Sequence, residues 1–136
     1  MGKMTEALAL LKDGIESQGR FLSYINEQSG QNATVTTDLR MSTPPCVLLS
    51  FAEGEIESPM QTGSAVFRVR CVFPLFGDAT MTALEALDLL IEDMYHSAAR
   101  SVGGVRMGFP LVINSLQEME ENPGMWDALV SVRFDF

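Results

Sequence analysis

The sequence predicts an α+β fold: an antiparallel sheet of four to five strands with two helices packed on one face, in the order α-β-β-β-α-β-β. Three observations carry that prediction. The stretch 81–99 repeats its apolar residues at helical spacing. The stretches 65–76 and 126–136 alternate apolar with polar residues, the period of a half-buried strand. The last strand and the one before it are separated by a turn containing Asn122-Pro123-Gly124, which makes them an antiparallel hairpin.

At the N-terminus, Leu8, Leu11, Ile15, Leu22 and Ile25 recur at helical steps, with Gln18 filling the missing one. Gly14 and Gly19 each cost about 1 kcal/mol relative to alanine. The spacing therefore predicts a helix over about 4–17, with a continuation toward 28 that the glycines weaken, and Gly30 closes it. Thr34-Val35-Thr36-Thr37-Asp38-Leu39 is rich in β-branched residues and reads as a short strand. Pro44-Pro45 then breaks the chain before Cys46-Val47-Leu48-Leu49-Ser50-Phe51, a run apolar on both sides as far as Ser50. That predicts a strand near the sheet centre, with Val47, Leu49 and Phe51 on one face.

In 53–63, Glu53, Glu55 and Glu57 occupy alternate positions ahead of Pro59 and Gly63, which fits a hairpin extension or a long loop. Phe67, Val69, Cys71, Phe73 and Leu75 then point one way and Arg68 and Arg70 the other. Pro74 has no amide hydrogen, so the strand must stand at an edge or leave the ladder there. After Gly77-Asp78 the period changes, and Ala83, Leu84, Leu87, Leu90, Ile91, Met94, Tyr95 and Ala98 form one apolar stripe. Thr82 and Glu85 are spaced as a capping box, Arg100 suits the helix C-terminus and Gly103-Gly104 stops it. Gly108 and Pro110 introduce a strand over 111–116, and an acidic turn follows at 118–124. In the last strand Trp126, Ala128, Val130, Val132, Phe134 and Phe136 face inward, opposite Asp127, Leu129, Ser131, Arg133 and Asp135.

A chain of 136 residues, 46 % of them hydrophobic, buries about 65–70 % of its unfolded surface in one core without disulfides or metal. It reads as one domain over 1–136. The formal charge of −9 and a pI near 4.4 argue against a protein that grips nucleic acid by its phosphates. Nothing approaches the run of about 20 apolar residues needed to cross a bilayer. MGKMTEALALLKDG alternates charge with leucine where a signal peptide would be uninterrupted, and Glu6 stands where myristoylation of Gly2 would want Ser or Thr. A cytosolic fold without membrane contact is expected.

Chemistry is sparse. Cys46 and Cys71, each in an apolar run, read as buried, reduced thiols, and with one histidine the chain offers no zinc set. His96, with Glu92 four residues before it, reads as a solvated or interfacial imidazole. There is no nucleophile elbow, phosphate loop or dinucleotide fingerprint. Glu53/Glu55/Glu57 and Glu118/Glu120/Glu121 lack the spacing of a calcium loop and read as solvated loops or subunit contacts. Arg68 and Arg70, two of nine cations, stand together on a polar strand face, either solvated or paired with acids. Met41, Met60, Met107, Met119 and Met125 fall in predicted loops, where methionine makes adaptable contacts. No catalytic residue, cofactor or metal is expected.

The order of elements carries more. An amphipathic helix, a Pro-Pro turn into PPCVLLSF, an acidic excursion, the alternating VFRVRCVFPLF, the long helix MTALEALDLLIEDMYHSAA and a terminal W-x-A-x-V-x-V-x-F strand resemble, over nearly the whole chain, the tail terminator and tail completion proteins of tailed bacteriophages. The resemblance implies a non-enzymatic protein forming a ring, usually of six copies, that caps the tail tube and presents a docking surface to the head connector. It implies localisation at the head-proximal end of the tail, after assembly in the host cytoplasm, with tail tube and neck proteins as partners. Subunit or lumen contacts would then fall at Glu53, Glu55, Glu57, Arg68, Arg70, Glu118, Glu120 and Glu121. Six copies at −9 each would carry about −54 formal charges, and an acidic lumen would let DNA slide without sticking. Two alternatives stay open: another neck or head-connector ring protein, and a small cytosolic ligand-binding α+β domain.

Overall fold

The computed structural model describes residues 2–57, 62–75, 79–99, 104–108 and 111–136, with side chains in the long helix from Thr80 through His96. The fold is α+β, with three helices, among the described residues, on one face of a six-stranded sheet. The order is α1 (Lys3–Gln18), α2 (Arg20–Ser29), β1 (Thr34–Thr36), β2 (Cys46–Glu57), β3 (Thr62–Pro74), α3 (Ala79–Ala99), β4 (Arg106–Met107), β5 (Val112–Glu118) and β6 (Met125–Asp135).

The expected N-terminal helix is two helices. Gly19 adopts φ 59°, a left-handed conformation that side chains resist, and donates its N–H to Ile15 O at 3.2 Å, so α1 ends there. The chain restarts at once as α2, and the bend rotates the apolar stripe: Phe21 is buried where Leu22, only half-buried, was expected. Leu11 and Ile15 of α1 and Ile25 of α2 reach the core as the spacing predicts, but Leu8 is only half-buried and Ala7, not part of the expected stripe, is buried in its place; Gly30 closes α2 at φ 69°.

Gly19 brings no side chain to cap α2. The cap comes instead from α3, where buried Asp93 accepts the Phe21 N–H at 3.0 Å. Arg20 to Glu92 at 3.1 Å and Tyr24 Oη to Glu85 at 2.8 Å join the same two helices at the surface. Glu85 is thus engaged by α2, and Thr82 is an interior residue of a helix that begins at Ala79, so the expected capping box is not the helix start. Leu84 and Tyr95, expected in the core stripe, are 47 % and 45 % exposed, and the inward face of α3 is Ala83, Ala86, Leu87, Leu90 and Met94.

The sheet runs β1-β2-β3-β6, with β4 and β5 end to end along the far edge of β6. It is mixed, correcting the antiparallel expectation: β1 is parallel to β2, pairing Thr34 with Cys46 and Thr36 with Leu48. The connection 37–45, with a short 3-10 turn at Leu39–Met41 and a cis Pro44–Pro45 peptide, returns the chain beside β1 in the same direction. The first strand is accordingly Thr34–Thr36 and stops short of the expected Leu39. β2 is not central either, because β1 flanks it over those three pairs alone. A bulge between Phe51 and Glu53 carries β2 on as a hairpin extension.

β3 and β6 follow the predicted alternation. Phe67, Val69, Cys71, Phe73 and Leu75 are buried, as are Trp126, Ala128, Val130, Val132 and Phe134; β2 pairs β3 only as far as Val72, so Pro74, opposite Met125 of β6, stands at an edge. Phe73 stands opposite Trp126, and its ring meets Phe21 edge-on at 5.7 Å, tying α2 to the sheet. β5 and β6 form the expected hairpin. β4 was not anticipated, and it buries Met107, expected in a loop. Met41 is 67 % exposed, and Met119 and Met125 are half-buried. Pro59, Met60, Phe76, Gly77, Asp78, Arg100, Gly103 and Pro110 lie outside the described residues.

Candidate assembly surface

With the helices all on one side, the other face of β2-β3-β6-β5 is left without a covering layer among the described residues. Its side chains follow from register. Leu48, Arg70, Leu129 and Ser115 form one row across the sheet, and Ser50, Arg68, Ser131 and Val112 the next. An open concavity of about 360 Å³ lies between them, lined also by Asp127. Aliphatic and charged residues alternate there, so the surface is neither an apolar core awaiting cover nor a plain solvated face.

The two arginines differ. Arg70 grips Asp127 through both guanidinium arms, Nε to Oδ1 at 3.1 Å and Nη2 to Oδ2 at 2.7 Å, and the aspartate side chain is only 15 % exposed. Arg68, one row away and exposed, has no ion-pair partner among the described residues. Arg133 on β6 pairs with its near neighbour Asp135 at 3.2 Å. Burial pushes the Cys46 thiol up, opposed in part by the nearby Arg70 charge, and burial pushes Cys71 up further still. Both cysteines are free.

The two acidic groups sit at opposite ends of this face. Glu53 and Glu55 line a concavity of about 260 Å³ with Gly54, Ser64, Val66 and Arg133, and Glu57 is exposed at the end of β2. Glu118, Glu120 and Glu121 line another of about 330 Å³ with Gln117, Met119 and Asp127. The fold therefore places Arg68 and Arg70 between two acidic ends and brings neither acidic group into an ion pair with them. Asp127, Leu129, Ser115 and Arg133 were not singled out as site residues from the sequence. The outward position of Asp127, Leu129 and Arg133 in β6 was legible, but that Ser115 of β5 lay opposite Leu129 was not.

Other chemistry stays separate. Glu92 bonds Arg20, and half-buried His96 lies a turn further along α3. Among the described residues no three His, Cys, Asp or Glu side chains gather as a metal set, and no helix is long and apolar enough to cross a membrane.

The arrangement defines an α+β chain with a one-sided helical layer and an uncovered sheet face. No known family's sequence profile matches it, and no curated protein sequence matches it. Among solved structures it is similar to a chain of the virion of a native gene transfer agent particle, at 10 % identity over 95 % of this chain and 94 % of that one, with a TM-score of 0.48.

Proposed function

We propose that this chain is a non-enzymatic structural protein of a phage-like virion: a ring-forming tail terminator, of six copies, that caps the tail tube and presents a surface to the head connector. The observation that supports it is the uncovered sheet face, bounded by the acidic hairpin extension of β2 and the acidic turn before β6. These are the elements whose order resembles that of tail terminators. A protein that works by contact needs such a surface, and Leu48, Leu129 and Arg68, which has no ion-pair partner among the described residues, give it both area and charge. The domain is the whole stretch 1–136, it takes no cofactor, and its partners are its own copies, the tail tube protein and a neck protein. At −9 per copy, the acidic ends facing a ring lumen would repel passing DNA.

The test is electron microscopy of particles made with and without the chain. Its removal is expected to leave tubes uncapped and heads unjoined, with normal particles restored when it is supplied again. Head-joined particles of normal form in its absence overturn the reading.

A further inference from the structure

The sheet ends in two bare edges. On one side β1 covers β2 over 46–48 only, so residues 49–57 have no strand on their outer side among the described residues, and all but Leu49 are exposed or half-buried. On the other side, among the described residues, β4 and β5 pair only with β6, and Val112 and Ile113 are 51 % and 50 % exposed. A bare edge is a row of backbone donors and acceptors that accepts another strand unless it is blocked.

Register shows that the two edges complement one another. Glu55 stands opposite Ser64, Ser64 opposite Asp135, and Asp135 opposite Arg106. One row across the sheet thus has an acid at one edge and a base at the other. Paired residues share a face, so both project from the uncovered side. Both are exposed, and neither has an ion-pair partner among the described residues. On the helical side another row runs Leu49, Val69, Val130, Ile113, and Phe51, 56 % exposed, is the next β2 residue on that side. Exposed apolar groups therefore stand at neighbouring levels on the two edges. Strand direction agrees as well: β2, β3, β6 and β5 alternate, so β2 of one copy beside β5 of another continues the antiparallel order. Pairing β2 with β2 would instead set Glu53, Glu55 and Glu57 against their own kind.

We infer that the free edge of β2 pairs with the β4–β5 edge of a second copy, head to tail, in the register that brings Glu55 beside the neighbour's Arg106. The contact uses a different edge on each copy, so it is heterologous and repeats until it closes. Closure into a ring rests on the function proposed above; the edge contact does not.

Glu55→Arg and Arg106→Glu, made separately, test it. Each is checked for fold by circular dichroism, then followed by sedimentation velocity and native mass spectrometry from micromolar to millimolar protein. The unsubstituted chain is expected to assemble. Each variant alone, with like charges at every contact, should need about tenfold more protein to do so. An equimolar mixture should recover the original midpoint with both variants in equal number, because alternating copies again set acid against base. Glu55→Gln with Arg106→Gln, which removes the pair without a clash, should shift the midpoint less and show no rescue on mixing. A chain that stays monomeric, a dimer that neither variant disturbs, or a mixture that assembles no better than its parts overturns the inference. If rings form regardless of both substitutions, or if a monomeric chain still completes tails, the edge contact is wrong and the terminator reading survives. If the edge contact holds and tails join without the chain, the reverse is true.

Discussion

Asp93 is a carboxylate buried to 1 % exposure, with Oδ2 on the Phe21 N–H and Oδ1 without a hydrogen-bond partner among the described residues. Burial pushes its pKa up, and the α2 amides and the Arg20 charge oppose that only in part. The folded chain therefore binds this proton more tightly than the unfolded one. Its contribution to stability is full below the ordinary carboxylate value of about 3.9 and fades as pH rises through the higher folded value. Asp93→Asn keeps an acceptor for Phe21 and discards the buried charge. It is expected to match or exceed the parent in denaturant melts at pH 7, with the gap narrowing toward pH 4. Asp93→Ala leaves the amide unpaired and should cost about 1–3 kcal/mol. An asparagine variant as unstable as the alanine variant at pH 7 would show that the charge itself is needed. The cysteines offer a second residue-scale test. Buried and shifted toward the thiol form, Cys46 and Cys71 should resist alkylation in the native protein and both react in denaturant, as intact mass reads. None of the Asp93 chemistry was legible in the sequence, where it is one acid beside the apolar positions of a helix. Its partner lies seventy-two residues away and is exposed as a need only by the break at Gly19.

At the scale of elements, what could be read was what a local period writes. β3, β6 and the inward face of α3 alternate or repeat because each has one face against the same core, and their registers follow. Where neighbours decide, the reading failed. β2 looks central because 46–49 is apolar on both sides, yet β3 flanks it on one side along its length and only the three residues of β1 flank it on the other. β4 has two residues and no period at all. Leu84 and Tyr95 fit a helical stripe wider than the strip of sheet and helices that α3 covers. The terminal strand gives the sharpest check on this level. Trp126 is 8 % exposed and lies opposite Phe73, though its Nε1 finds no acceptor among the described residues. Trp126→Ala should cost about 3–5 kcal/mol. Trp126→Phe, which also removes the stranded N–H, should cost less than about 1.5 kcal/mol. Equal melting of the alanine variant and the parent would mean that β6 is not packed in this register.

Across the whole molecule, charge separates an assembling surface from a merely solvated one. The chain is at −9, so copies repel at long range and association depends on local complementarity that outweighs it within a screening length of about 8–10 Å. On the uncovered face Arg70 is committed to Asp127, whose side chain is 15 % exposed. Reversing Arg70 would press two carboxylates together and confuse loss of contact with loss of fold. Arg68 has no such commitment among the described residues, and its own strand buries Phe67 and Val69 on the opposite face. Arg68→Glu should therefore melt within about 2 °C of the parent, as exposed substitutions do. If the chain has the proposed terminator role and this face meets acidic groups of another copy or of a tail protein, the same change should cut tail completion in a complementation assay, and added salt should narrow the gap by screening the new repulsion. Arg70→Glu should lower the melting temperature as well, which separates the two roles within one strand. A folded Arg68→Glu protein that completes tails as well as the parent at every salt concentration would leave Arg68 a solvated cation and remove this face from the assembly.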